Sequence, residues 1–348
     1  MNKLKIGIIG CGVIANIHAE AIRESSNAEL HSVFSRNEEN TKRCGEKHNV
    51  KWFTDWDKFI SDTDLDIVSI CSPSGNHLDY GEKAAAAGKH VIVEKPIEVT
   101  LERANRLIEK CKSNNVKLAV IYQSRFIPDI IKVKESIDNN EIGNIFMGDA
   151  QIKWYRDQNY YDSGVWRGTF KLDGGGVLIN QGIHTIDLLQ WFMGDVDTIT
   201  GHIGTFTHEN IEGEDSAVAV LKFKSGAIAV IEGSTSIQPA QPRKIELHGK
   251  NGSIEIIDND VKITIAGNEE ESSLENETKT TGGDSPLAGF SNEPHQKQFE
   301  AIVDAINSDL EPPVSGSDSL KSLAIVLAIY ESSKSGSPIK LDEFISQK

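Results

Sequence analysis

Long apolar runs, paired cysteines and positive charge are all scarce in this 348-residue chain. No apolar stretch approaches the roughly 20 residues that cross a bilayer, so no helical membrane span is expected. The run Ile6-Gly7-Ile8-Ile9-Gly10-Cys11 after Lys3 and Lys5 is too short and too rich in glycine for the core of a secretion signal. A cytoplasmic location is the expectation. The four cysteines, Cys11, Cys44, Cys71 and Cys111, include no Cys-x-x-Cys pair, which argues against a zinc site and against a disulfide framework. Reduced thiols are the simplest account. With 36 basic against 52 acidic residues the formal net charge is −16, a balance that repels nucleic acid and anionic membrane alike. Any anionic small molecule must then be met by local basic residues.

What is present is length and local pattern. A chain of 348 residues is long for one core, which predicts two domains. Residues 5–9 read as a short apolar strand. They lead into Gly10-Cys11-Gly12-Val13-Ile14-Ala15 and a helical segment with apolar positions at Ile14, Ile17, Ala21 and Ile22. Strand, Gly-x-Gly-x-x-Ala and helix in that order form a dinucleotide-binding fingerprint. Gly10 permits the tight turn, Gly12 lets the backbone approach a diphosphate, and Ala15 keeps helix and strand close. Gly12, Val13 and Ile14 then set the helix N-terminus against the phosphates. A second strand over residues 29–34 ends in Ser35-Arg36-Asn37, without the acidic residue that usually holds a ribose 2′-hydroxyl. A hydroxyl and a guanidinium suit a 2′-phosphate, so NADP is favoured over NAD.

The strand at 66–71 runs into Ser72-Pro73-Ser74-Gly75-Asn76-His77, turn chemistry that places Ser72, Pro73 and His77 beside a nicotinamide ribose. His77 reads as a positioning residue rather than a catalytic one. Val91-Ile92-Val93-Glu94-Lys95-Pro96 is a buried strand that delivers a carboxylate, an ammonium group and a stop. Ligands in open α/β sheets bind outside the carboxyl ends of the strands, which puts Lys95 at the mouth of a site. Residues 117–122 form one more strand, followed by Gln123-Ser124-Arg125. Strands alternating with helices predict a doubly wound parallel sheet over residues 1–125.

Beyond that point the period changes. Segments 145–155, 198–207, 217–223, 227–233, 244–247, 253–257 and 261–265 have strand character, several with the alternation of a sheet wet on one face. Lys224-Ser225-Gly226 reads as a hairpin turn. Residues 268–284 are acidic and serine-rich and read as a solvated loop. Helical patterns at 294–307 and 317–334 close an α+β domain over residues 126–348. Within it lies Asp173-Gly174-Gly175-Gly176-Val177-Leu178-Ile179-Asn180-Gln181-Gly182-Ile183-His184-Thr185-Ile186-Asp187. On a helix, Asn180, His184 and Asp187 form a polar stripe beside Ile179, Ile183 and Ile186, the geometry of an oriented proton carrier. No third ligand lies at helical spacing, so no metal site is expected. Gln123, Arg125, Tyr155, Arg156, Tyr160, Tyr161, Trp166 and Arg167 offer flat faces and guanidinium groups to a ligand.

Gly10-x-Gly12-x-x-Ala15, Glu94-Lys95-Pro96, and Gly174-Gly175-Gly176-x-Leu178 leading to Gly182-x-His184 together resemble the Gfo/Idh/MocA oxidoreductases over essentially the whole chain. The resemblance implies an N-terminal Rossmann domain and a C-terminal domain whose open, mostly antiparallel sheet supports a homo-oligomer. It also implies Lys95 and His184 as the catalytic pair, with Glu94 and Pro96 shaping the nicotinamide pocket. Cofactor contacts are expected from Gly10, Gly12, Val13, Ile14, Ser35, Arg36, Ser72, Pro73, His77, Glu94, Lys95, Gln123, Trp166 and Arg167. Substrate contacts are expected from Lys95, Arg125, Tyr155, Tyr160, Tyr161, Asn180 and His184.

Many members of the family carry Asp where this chain has Asn180. With Gln181 to Asp187 and the segment 155–167, the chain is similar to the branch of UDP-N-acetylglucosaminuronate 3-dehydrogenases. Those enzymes are typically NAD-dependent, which Ser35-Arg36 does not match. The implied activity is hydride transfer between nicotinamide and a carbinol of a sugar or UDP-sugar. The alternatives are an NAD-dependent glycosidase that oxidises carbon 3 transiently and a non-catalytic dinucleotide-binding protein, which would not need two proton carriers.

Overall fold

The computed structural model describes residues 3–267 and 291–348. The chain forms two compact units, Met1–Phe126 with Phe290–Leu320, and Ile127–Gly289 with Lys321–Lys348. The expected solvated loop at 268–284 lies outside the described residues.

In the first unit β1 (Leu4–Ile9), β2 (Ala28–Phe34), β3 (Lys51–Phe53), β4 (Ile67–Ile70), β5 (His90–Val93) and β6 (Leu118–Val120) make one sheet. Its order is β3-β2-β1-β4-β5-β6, and every pair is parallel. This is the doubly wound order, and its direction reverses between β1 and β4. The register carries Ile9 to Ile70 and Ile70 to Val93, so three strands stop level with one another. Gly10, Cys71 and Glu94 therefore all begin loops on the same rim. Helix Val13–Glu24 buries Ala15, His18, Ala19, Ala21 and Ile22. The buried face is rotated from the expected one, because Ile14 and Ile17 are only partly covered while His18 is fully enclosed.

Helix Glu293–Asn307 belongs to this unit and packs on helix Val13–Glu24, a correction to a second domain running unbroken from residue 126. Phe299, Ile302 and Val303 join the core of Ile6, Ile8, Ala15 and Ala19. The Gln298 amide donates to the Val120 carbonyl at 2.8 Å and accepts from the Tyr122 N–H at 3.1 Å, which ties the helix to the end of β6.

The second unit is built on β7 (Ile145–Lys153), β8 (Val196–Gly204), β9 (Ser216–Phe223), β10 (Ile228–Ser234), β11 (Lys244–Gly249), β12 (Gly252–Ile257), β13 (Asp260–Ile265) and β14 (Ile339–Lys340). The order is β13-β12-β11-β7-β10-β9-β8-β14. Only β7 and β10 pair in parallel; the remaining neighbours are antiparallel. The turn from β9 to β10 is the expected one, with Gly226 at φ +92°. One face carries helix Ile183–Met193 against β7. On the other face Val218, Val220, Ile228 and Met147 stand 51%, 56%, 49% and 44% exposed on neighbouring strands. Among the described residues no helix is long and apolar enough to cross a membrane.

Candidate active site

The rim of the first sheet fits a dinucleotide. Gly10 sits at φ +108°, and a Cβ there would come within 2.8 Å of the Cys71 carbonyl oxygen. A Cβ on Gly12 would meet nothing within 4 Å, so the space beside it is open to a ligand. Gly12 is also the N-cap of helix Val13–Glu24, with no side chain occupying the helix N-terminus. Unspent N–H groups and the positive end of the helix favour a phosphate there. Val13 is 67% exposed and Ile14 partly so. At the end of β2, Ser35 is half-buried and Arg36 is exposed. Ser72 and Pro73, both half-buried, form the loop after β4. His77 is fully buried, its ring nitrogens 2.9 Å from the Pro96 carbonyl and 3.1 Å from the Ser72 carbonyl. It braces two loops from beneath, in keeping with a positioning role.

At the end of β5, Glu94 is 7% exposed and turned into the protein. One carboxylate oxygen lies 2.8 Å from His18 Nε2, and the other accepts the Lys95 N–H at 3.1 Å. Burial opposes the Glu94 charge, but His18 and Lys95 outweigh it and hold the carboxyl at about 2. Glu94 therefore supports the turn from inside. Lys95 itself is half-buried, and the Lys95–Pro96 peptide is cis.

In the second unit the glycine triplet is a packing device. A Cβ on Gly175 would fall 2.3 Å from the Tyr330 hydroxyl, and one on Gly176 would fall 1.7 Å from the Glu214 carbonyl oxygen. Glu214 takes three successive amides, Gly176 N–H and Leu178 N–H on its carboxylate at 3.0 and 2.8 Å and Val177 N–H on its carbonyl at 2.9 Å. Tyr330 donates to the same carboxylate at 3.0 Å. Burial prevails over these donors and pushes the Glu214 carboxyl up to about 7.

Residues Val177–Gly182 form a π-helical turn before the α-helix Ile183–Met193, so the expected α-helical stripe from Asn180 to His184 is wound more loosely than 3.6 residues per turn. Between Asp173 and Gln190 only Asn180, Gln181 and His184 escape full burial. Asn180 donates to Asp173 at 2.5 Å and accepts from Gln181 at 3.0 Å. Gln181 also donates to the Tyr160 hydroxyl at 2.7 Å and accepts from Arg156 at 3.1 Å. Asp187 is buried, at 1% exposure.

The neighbouring aromatic segment divides. Tyr155, Tyr160, Trp166 and Arg167 are half-buried, and the Arg167 guanidinium stacks 4.2 Å from the Tyr160 ring and 4.6 Å from the Trp166 ring. Tyr161 is enclosed, bonded to Thr235 at 2.8 Å and edge-on to His208. Arg156 is also buried, and its Nε finds no hydrogen-bond partner among the described residues. In the first unit Arg125 pairs with Asp318 at 2.6 Å, while Gln123 is half-buried.

Residues 4–122 match the family model described as oxidoreductase family, NAD-binding Rossmann fold, and residues 134–341 match that described as oxidoreductase family, C-terminal alpha/beta domain. The chain belongs to the Gfo/Idh/MocA oxidoreductase family. It is a nicotinamide-dependent oxidoreductase acting on CH–OH groups. It is 28% identical to myo-inositol 2-dehydrogenase of Thermotoga maritima over 98% of this chain and 100% of that one. It is 25% identical to levoglucosan dehydrogenase of Pseudarthrobacter phenanthrenivorans over 73% of each. Among solved structures, WlbA dehydrogenase from Bordetella pertussis in complex with NADH and UDP-GlcNAcA superposes with a TM-score of 0.86 at 28% identity, covering 97% of this chain and 99% of that one.

Against this family frame, sequence reasoning passed over His18, Gln181, Glu214 and Tyr330. His18 had a signal: Ala15, His18, Ala19 and Ile22 stand at i, i+3, i+4 and i+7, the spacing of a buried face. Glu214 and Tyr330 had none, since their partners in the glycine triplet lie far away along the chain.

Proposed function

We propose that Lys95 and His184 are the acid–base pair of this oxidoreductase, and that its substrate is an anionic sugar, in the first instance a UDP-linked uronate. The observation that carries the pair is how each is held. Lys95 follows directly from a buried, charge-compensated Glu94 on the rim where β1, β4 and β5 end together. His184 follows from a fully hydrogen-bonded turn whose only uncovered side chains are Asn180, Gln181 and itself. A hydride leaving a carbinol carbon requires that the hydroxyl proton be taken up, and an amine and an imidazole are the groups able to do so near neutral pH. Gly10, Gly12, Val13 and Ile14 would hold the diphosphate of a dinucleotide, and Ser72 and Pro73 its nicotinamide end; such a cofactor would supply the hydride chemistry.

Two features support an anionic substrate. Arg156 and Arg167 lie near one another, close enough that Arg167 adds to burial in lowering the Arg156 pKa, so this patch offers two guanidinium groups to an anion. The WlbA dehydrogenase described above carries a UDP-uronate and matches this chain from end to end. Ser35 is half-buried and Arg36 exposed at the end of β2, a hydroxyl and a guanidinium that suit a 2′-phosphate, and we infer that NADP is favoured over NAD. The exposed Val218, Val220, Ile228 and Met147 form an apolar band on the uncovered sheet face, which suits a homo-oligomer. Four unpaired thiols fit a cytoplasmic setting.

The test is a panel of UDP-sugars, free uronates, inositol and levoglucosan with NAD or NADP, followed by the absorbance of reduced nicotinamide. Turnover of a UDP-uronate at least about tenfold above the neutral sugars is the expected result, the scale of one charge-assisted contact. Preference for an uncharged polyol would overturn the substrate assignment, and glycoside cleavage without net reduced cofactor would overturn the reaction.

A further inference from the structure

The first unit contains a buried polar cluster that the reaction as described does not use. His18, Glu94 and His295 are 0%, 7% and 4% exposed, and their potential ligating atoms lie within 4.8 Å of one another. Such a set invites a metal reading, but the contacts argue otherwise. His18 Nε2 is on Glu94 at 2.8 Å, and its Nδ1 is 2.9 Å from the Ser69 hydroxyl and 3.2 Å from the Cys71 sulfur. Glu94 spends its second oxygen on the Lys95 amide. A metal would have to break a satisfied network to enter.

The arrangement is that of an ion pair. His18 Nε2 faces an acceptor-only carboxylate, and its Nδ1 faces the Ser69 hydroxyl and the Cys71 sulfur, both able to accept from the second N–H of an imidazolium. His295 stands with its ring centroid 5.7 Å from that of His18, and neither of its nitrogens has a hydrogen-bond partner among the described residues. Burial, with the like charge of His18 beside it, lowers His295 to about 4, so it stays neutral. Burial opposes the His18 charge as well, but Cys71 and Glu94 prevail and raise it to about 10. Phe299 closes the cluster edge-on to His18 at 5.2 Å. The groups facing His18 are therefore Ser69 within and Cys71 just after β4, Glu94 at the end of β5, and His295 and Phe299 on helix Glu293–Asn307. Cys71 and Glu94 are the two that favour its charge.

We propose that His18 is a positioning residue of the hydride-transfer reaction, supplying the buried positive charge that keeps Glu94 ionised, fixed to the Lys95 amide, and partly offset in its pull on the Lys95 ammonium. This rests on Lys95 acting in catalysis. Without His18 the same carboxylate would stand uncompensated one residue from Lys95, would favour the protonated amine, and would free the turn. The consequence is a specific one. Loss of His18 changes the proton affinity of Lys95 and not merely the stability of the sheet.

The experiment compares the wild type with His18→Gln, Glu94→Gln and the double variant, reading kcat and KM against pH. His18→Gln should lower kcat at least about tenfold, leave the cofactor KM within about threefold, and move the alkaline-going limb of the kcat profile upward by roughly one pH unit, the scale of one uncompensated neighbouring charge. The double variant should lose that shift, because no charge remains to be balanced. An unchanged profile in His18→Gln, or the same shift in the double variant, would overturn the proposal. Should His18→Gln not fold, nitrogen-15 NMR of the wild type at pH 8 decides: two protonated ring nitrogens on His18 support the ion pair, and a neutral ring sinks it. Lys95→Ala separates the two readings, since full activity there would reject Lys95 itself whatever His18 does.

Discussion

Each unit of this enzyme buries a glutamate, one beside the proposed proton carrier Lys95 and one against the glycine triplet, and burial moves the two carboxyls to different outcomes. Glu94 faces an imidazole and Lys95 and is kept near 2; Glu214 faces amide N–H groups and a phenol and is driven up to about 7. A formal opposite charge overcomes burial, whereas three neutral or backbone donors do not. The glycines show the same contrast. Gly12 leaves space for a ligand, and Gly176 is filled by the protein's own backbone. One residue type serves binding in one unit and packing in the other.

Substituting those glycines should separate the two uses most sharply. Gly176→Ala places a methyl group 1.7 Å from a carbonyl oxygen, a backbone overlap that cannot be relieved by a rotamer, so little folded protein or a melting point at least about 10 °C lower is expected by thermal denaturation. Gly12→Ala should melt like the wild type and instead raise the cofactor KM about tenfold. Equal melting of both variants would erase the contrast.

Next in size, Lys95→Ala and His184→Ala should each reduce kcat at least about a hundredfold with melting unchanged, the usual scale for a positioned acid or base. Near-normal turnover in either would remove that residue from the mechanism.

Glu214 offers a smaller, signed effect. Its folded pKa lies above its unfolded value, so its titration stabilises the native state most below about 4.5, and that contribution is gone once the pH passes about 7. Glu214→Gln should accordingly look worst at pH 5 and recover relative to wild type by pH 8, by about 2–3 kcal/mol in unfolding free energy. A pH-independent difference would contradict the assignment. Smallest of all, Arg36→Ala should cost NADP about tenfold in kcat/KM and NAD less than about threefold, as expected for one charge-assisted contact to a 2′-phosphate. Equal losses with both cofactors would mean that Arg36 does not discriminate.

The parts legible in the sequence were those written in adjacent residues. Strand, glycine turn and helix at residues 4–24 follow from neighbours, as do the strand ending at Val93 and the hairpin at Gly226. The second sheet was legible strand by strand from its alternation, though not in its order, because β7 pairs with β10 and β11 across long intervening segments. The burial of Tyr161 was not legible, since an aromatic near arginines reads alike whether it is exposed or packed on Thr235. The π-turn was hidden because Val177 to Met193 shows a helical alternation in either winding. Short β3 and the highly charged helix Glu38–His48 carried too little apolar pattern to be noticed.

The helix that Gln298 pins to β6 bears on synthesis. The ribosome delivers Phe126 and then must make everything up to Phe290 before the nucleotide-binding unit receives the helix that seals Ile6, Ile8 and Ala19. At bacterial or eukaryotic elongation speeds that interval is on the order of ten seconds, during which an apolar flank stays bare on the nascent chain. A gene fragment ending after the sixth strand would inherit that bare flank permanently, so transplanting this cofactor module into another protein requires carrying its distant C-terminal helix along.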